Sequence, residues 1–335
     1  MGLFFGWAAV VCSENASQTR ISMIRTAKVK FAAKKQWYFL FNFIKYLSHT
    51  FFYRDFTVIR IPITSMNSDA LKPIGIFDSG IGGLTVAHQI SKILPQEDLI
   101  YFGDTAHLPY GDKSTAAIQA YSVKICNLLL SQNVKAILIA CNSASAAAYE
   151  LVKEYVGSKA LVFNVIDPVV EYVSEQLPGK KIGLIGTKQT IFSNIFKKKI
   201  EEKDKGIDLK SLATPLLAPM IEEGFFNNKI SNEVIEEYLG NEMLQGIEAL
   251  ILGCTHYPLI VNQINNYYKK KVEIIDSSRI VALFVYESLK NANLLNVPHK
   301  TGNRFYVSDF TPSFENATQI FFKDKVSLEH YPLWE

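Results

Sequence analysis

Two cysteines stand in matched settings. Val134-Lys-Ala-Ile-Leu-Ile-Ala-Cys141-Asn-Ser aligns without gaps on Ile247-Glu-Ala-Leu-Ile-Leu-Gly-Cys254-Thr-His. In each copy an apolar run ends on a thiol, and polar residues then turn the chain toward a helix. A thiol at such a turn feels the helix N-terminal field, which predicts a lowered pKa and a larger thiolate fraction. Two such groups on opposite sides of one small molecule could take a proton from one face of a carbon and return one to the other. That exchange inverts a stereocentre. Buried free cysteine is otherwise common and inert, the reading kept for Cys126 and Cys12. Four cysteines in 335 residues cannot form a dense disulfide framework, and their spacing matches no zinc pattern. Cys254-Thr-His256 offers only two potential ligands, so no metal is expected.

The elements that must hold these thiols can be read from the flanking pattern. Short apolar runs at Pro73–Asp78, Leu99–Phe102, Val134–Ala140, Ala160–Val165, Lys181–Gly186, Ile247–Leu252 and Val272–Ile275 alternate with helical stretches such as Leu84–Leu94, Ser114–Ser131 and Ser143–Val156. Strands and helices alternating at these lengths predict βαβ units and a parallel sheet covered on both faces. A second internal match pairs Ile74-Gly-Ile-Phe-Asp78 with Ile182-Gly-Leu-Ile-Gly186. The offsets are 108 (74 to 182) and 113 (141 to 254), in the same order, as expected for two halves of similar architecture. If the halves face each other, both thiols look into one cleft at the carboxyl ends of the strands, where such sheets bind ligands.

Composition narrows the partners. With 48% hydrophobic and 20% charged residues, collagen-like, coiled-coil and wholly disordered classes are excluded. The net charge of +3 is uneven: residues 1–66 carry nine Lys and Arg against Glu14 and Asp55, leaving 26 basic and 30 acidic side chains after them. A mildly acidic body argues against nucleic acid as the partner. Fourteen of the 41 aromatic residues lie in the first 66 positions, without sustained periodicity; Trp37–Leu47 is too short to span a bilayer and is broken by Asn42 and Lys45. No membrane span is expected. Residues 1–70 read as an extension, unpatterned or translated from a start upstream of Met66, rather than as a basic membrane-surface arm. Sparse cysteine usage points to a reducing, cytoplasmic compartment.

Four motifs in series carry a family likeness. Asp78-Ser-Gly-Ile-Gly-Gly83, Gly103-Asp-Thr-Ala-His-Leu-Pro-Tyr-Gly111, Ala140-Cys-Asn-Ser-Ala-Ser-Ala146 and Leu252-Gly-Cys-Thr-His-Tyr-Pro-Leu259 closely resemble the motif series of the glutamate racemase family, among the cofactor-independent Asp/Glu racemases. The likeness runs from about Lys72 to the low 280s. It implies an α/β fold of two similar doubly wound parallel-sheet domains related by pseudo-two-fold symmetry, with the active site between them. The implied division is 71–166 plus 277–335 for the first domain and 167–276 for the second.

The resemblance further implies a two-base interconversion of L- and D-glutamate without pyridoxal phosphate, supplying D-glutamate for peptidoglycan. Cys141 and Cys254 match the catalytic pair, Cys141 acting on D-glutamate and Cys254 on L-glutamate. Asp78 and His256 match the residues that assist them, and Glu222 an acidic residue that influences the site. Asp78, Ser79, Asn142, Ser143, Thr255 and His256, with both cysteines, match positions that bind substrate; Pro109, Tyr110 and Gly111 match a pocket loop. No cofactor is implied, and a homodimer is, since dimers are usual for similar proteins.

Simpler readings compete for some of these residues. Asp78, Ser79 and Thr255 could cap helices, and His256 alone would more often be structural. The 78–83 loop lacks the G-x-G-x-x-G spacing of a phosphate cradle. His107, Ser143 and Asp167 stand where the family more often has Arg, Thr and Glu, which is expected to bear on pocket packing and affinity. A non-catalytic amino-acid binding module is the competing class, disfavoured because both thiols and both assisting groups are present.

Overall fold

Strands apolar at every position need cover on both faces, and the chain supplies it. The computed structural model describes residues 68–296, 302–310, 318, 321–322 and 326–335, so the reading of the extension lies outside the described residues up to position 67. The first stretch runs β1 (Ile74–Asp78), α1 (Leu84–Ile93), β2 (Leu99–Gly103), α2 (Thr115–Ser131), β3 (Ala136–Ile139), α3 (Asn142–Val156) and β4 (Leu161–Asn164). Then come α4 (Asp167–Gln176), β5 (Lys181–Gly186), α5 (Lys188–Phe192), α6 (Ile195–Glu202), β6 (Asp208–Ala213), α7 (Leu217–Glu222), α8 (Lys229–Leu239), β7 (Ala249–Gly253), α9 (Val261–Tyr267), β8 (Glu273–Ile275) and α10 (Ser277–Asn291). β9 (Arg304–Val307) and β10 (Leu328–His330) complete the described strands.

Two sheets result, parallel throughout, ordered β10-β9-β2-β1-β3-β4 and β6-β5-β7-β8. The order β2-β1-β3-β4 is repeated as β6-β5-β7-β8, and the register repeats with it. Ile74 pairs with Ala136 where Ile182 pairs with Ala249, which keeps both sequence offsets, 108 and 113. Ile74 likewise pairs with Leu99 as Ile182 does with Leu209. Hydrogen-bonded register is independent of composition, so the internal match reflects architecture and not merely the likeness of buried strands.

Period-two alternation distributes the side chains. Ile74, Ile76, Ala136 and Leu138 face one core with α1 and α10, while Phe77, Ile137 and Ile139 face another with α2 and α3. In the second sheet Leu250 and Leu252 join the first of these cores, and Ile182, Leu184 and Ile251 form a third. β6, β9 and β10 are absent from the sequence reading because none presents a continuous run of buried apolar residues. β6, Asp208-Leu-Lys-Ser-Leu-Ala, has no fully buried residue and so no continuous apolar run. No helix among the described residues is long and apolar enough to cross a membrane.

One buried ion pair fastens the amino-terminal end of the first sheet. Lys135 Nζ lies 2.5 Å from Glu97 Oε2 and donates to the Ala70 carbonyl at 2.7 Å; Asn296 N–H donates to Glu97 Oε1 at 2.7 Å. Both side chains are buried, so the charges survive only as a fully bonded pair. Lys135→Met strands the Glu97 carboxylate and is expected to cost about 3–5 kcal/mol in urea unfolding. Lys135→Met/Glu97→Leu should recover much of that loss.

Candidate active site

The strand ends place the chemistry. β1 ends on Asp78, β3 leads into Cys141, β5 into Thr187 and β7 into Cys254, all at carboxyl ends of parallel strands. These ends bound a narrow cavity of about 30 Å³. Its walls bring together Ser79, Pro109, Tyr110, Gly111, Cys141, Asn142, Ser143, Glu222, Cys254, Thr255 and His256. Asp78, fully buried, is not among the wall residues; its Oδ2 accepts from Gly80 N–H at 3.0 Å. Room for about two waters is too little for an amino acid, so entry requires the facing walls to part.

Contacts between the two sheets narrow the cavity. Ser143 Oγ lies 2.8 Å from Thr187 Oγ1, Lys188 pairs with Asp112 at 3.1 Å, and Thr85 Oγ1 donates to the Thr255 carbonyl at 3.0 Å. The glycines of the 78–83 loop allow the closest approach. A Cβ on Gly82 would sit 2.3 Å from His256 Cε1 and 2.6 Å from Thr255 Oγ1. Gly103 likewise leaves space for the Gly80 carbonyl, 2.2 Å from where its Cβ would stand. Gly82→Ala is expected to displace the imidazole from its contact with Cys254 and lower turnover by about 10²-fold. Steady-state assays on folded protein would check this.

The two thiols differ in surroundings. Cys141 caps α3, accepting from Ala144 N–H at 3.4 Å, and its thiol donates to Ser79 Oγ at 3.7 Å. Burial and the nearby Asp78 carboxylate nevertheless push the thiol up to about 12, outweighing the Ala144 and Ser79 hydrogen bonds. The helix N-terminus therefore does not make Cys141 acidic as its position in the sequence predicts. Cys254 Sγ lies 3.5 Å from His256 Nδ1, and His256 Nε2 pairs with Glu222 Oε1 at 2.8 Å. Burial pushes the imidazole down, but Glu222 and the Cys254 sulfur together raise it well above its ordinary value. The imidazole beside Cys254 is thus held protonated, while Cys141, on the same cavity, is held as a thiol.

Asp78 is raised from the usual carboxylate range by burial, which exceeds the opposing pull of His256 and the Gly83 and Gly80 N–H groups. Its Oδ1, with both amide atoms of Asn142, is buried without a hydrogen-bond partner among the described residues. Such groups cost about 1–3 kcal/mol each unless a ligand satisfies them, which marks the wall at Asn142 for a polar ligand. Tyr110 is held protonated by burial and by Asp104, to which its hydroxyl donates at 2.6 Å.

Thr187, Ala218 and Gly253 also line the cavity and escaped the sequence reading. The offset of 108 carries Ser79 onto Thr187, so the repeat held a signal for that hydroxyl. Of the departures from the family pattern, only Ser143 lines the cavity. Asp167 lies outside it, at the start of α4, accepting from Asn164 Nδ2 at 2.8 Å and pairing with Lys199 at 2.9 Å. Asp167 therefore does not touch the cavity.

The Asp/Glu/hydantoin racemase family model matches residues 82–285. A glutamate racemase of Caldanaerobacter subterraneus subsp. tengcongensis is 39% identical over 257 residues, covering 76% of this chain and 92% of that protein. The crystal structure of a Francisella tularensis glutamate racemase in complex with D-glutamate superposes with a TM-score of 0.74 at 40% identity, covering 79% of this chain and 99% of that one. Isoform RacE1 from Bacillus anthracis gives the same score at 32% identity over 78% and 98% of the two chains. Shared fold, shared sequence and a match that runs across both thiols agree: the chain belongs to the Asp/Glu/hydantoin racemase family.

Proposed function

We propose that this protein is a glutamate racemase, interconverting L- and D-glutamate by proton transfer between two cysteines. The observation that carries the reading is one narrow cavity lined by a thiol from each half of the fold, each beside its own acid–base group. Cys254, its sulfur 3.5 Å from His256 Nδ1, is the base that takes the α-proton of L-glutamate. Cys141, held as a thiol, gives its proton to the opposite face of the carbanion, yielding D-glutamate and a Cys141 thiolate. The reverse reaction starts from that thiolate, with Asp78 as the group that tunes and reloads it. Ser79, Asn142, Ser143, Thr255 and Thr187 hold the substrate's carboxylates and ammonium, and exclusion of water strengthens that hold on the developing negative charge. Protons moved between side chains account for the reaction without a cofactor.

The lobes we assign are 71–166 with 277–335, and 167–276. Their parting admits substrate. The product serves peptidoglycan precursors in the bacterial cytoplasm, and the enzyme works as a homodimer, which sedimentation would test. The decisive experiment incubates either glutamate enantiomer with the protein in D₂O. Deuterium at Cα with loss of optical activity is expected. Binding without exchange would reduce the protein to an amino-acid binding module, and exchange with aspartate alone would reassign the substrate.

A further inference from the structure

Behind the pocket loop lies a carboxylate to which the racemase reading gives no role. Asp104 follows β2 directly, is fully buried, and its N–H donates to the carbonyl of Asp78 at 3.0 Å. Four groups converge on its two oxygens. Tyr110 Oη donates to Oδ2 at 2.6 Å, Ser308 Oγ to Oδ1 at 2.8 Å, and the Trp334 indole N–H to Oδ1 at 2.7 Å, while His107 Nδ1 lies 3.0 Å from Oδ2. Aromatic packing closes over this group. His107 stacks on Tyr121 with centroids 4.1 Å apart, Trp334 meets His107 edge-on at 4.5 Å, and Lys124 Nζ stands 4.6 Å from the Trp334 ring.

A buried carboxylate with this many donors is stable only while all of them stay in place. The donors come from three distant parts of the chain: the pocket loop, the end of β9, and residue 334, which is 230 positions from Asp104. Of these donors, only Tyr110 also lines the cavity.

We infer that Asp104 is a positioning residue for the reaction, and that Trp334 belongs to the same clamp, so that docking of the C-terminal segment fixes Tyr110 against the substrate. Asp104 touches no reacting atom; it acts through Tyr110. This rests on the racemase reading. The pull of the four donors on one acceptor makes their contributions interdependent, because loosening any one of them frees the loop that carries Tyr110.

The test uses the full chain with Trp7→Phe and Trp37→Phe, which leaves Trp334 as its single indole. Saturating D-glutamate is expected to shift Trp334 emission, and Tyr110→Phe to abolish the shift. In steady-state assays Trp334→Phe, which keeps a ring and loses the donor, should raise KM for glutamate about three- to tenfold, the worth of one hydrogen bond, with little change in kcat. Ser308→Ala should do the same by an independent route. Trp334→Phe combined with Tyr110→Phe should be no worse than the more damaging single change. Unchanged KM in both Trp334→Phe and Ser308→Ala, strictly additive effects, or emission indifferent to substrate would overturn the clamp while leaving the racemase reading intact. A wild-type chain that does not racemise glutamate would overturn both.

Discussion

Replacing Cys141 or Cys254 with alanine is expected to lower racemisation by about 10³-fold or more in each case, since each removes a general acid or base that no neighbour can replace. The informative part is what remains. With Cys254 gone, Cys141 can still exchange the α-proton of D-glutamate with retained configuration, but no donor stands on the opposite face. With Cys141 gone, the residual exchange should be confined to L-glutamate. NMR of Cα deuteration in D₂O, run separately on each enantiomer, reads both outcomes. Near-native turnover by either variant, or exchange of both enantiomers by a single-thiol protein, would end the two-base assignment.

His256→Ala is expected to cost about 10²-fold in turnover, because Cys254 loses the imidazole within reach that assists its proton transfer. Enantiomers have equal free energies in water, so kcat/KM must stay equal in the two directions. Any asymmetry must fall on kcat and KM separately, with the kcat of the L-to-D direction expected to suffer more. The pH dependence follows from the same contact. Glu222 is the chief group raising His256, and burial opposes it. In Glu222→Gln the upward pull is lost, the imidazole gives up its proton at lower pH, and the alkaline limb of the kcat/KM profile moves toward acid. A limb that stays in place would show that His256 is not the group titrating there.

Much of the fold was legible because burial on both faces leaves an unmistakable pattern. Runs such as Ala136-Ile-Leu-Ile139 have no polar position, and the helices between them are long enough to cover a sheet. Strands without a continuous buried run were not legible: Arg304-Phe-Tyr-Val307 mixes exposed, half-buried and buried residues, as a short loop segment also does. Most of the cavity wall was legible through four local motifs. Each motif sits where a strand ends, and local sequence fixes such turns.

What the sequence determined by itself was the pairing of two thiols by an internal repeat and the type of chemistry that pairing allows. The protonation of Cys141 and of the imidazole beside Cys254 was decided only by the tertiary structure. The helix field at Cys141 is a local effect and predicts an acidic thiol, yet burial and Asp78, 63 positions away, push it the other way. The imidazolium beside Cys254 depends on Glu222, 34 positions away on α7. The clamp on Asp104 needs a residue from the far end of the chain. Electrostatic energies depend on distance and solvent access, and both are set by packing between segments whose separation in sequence carries no information about either.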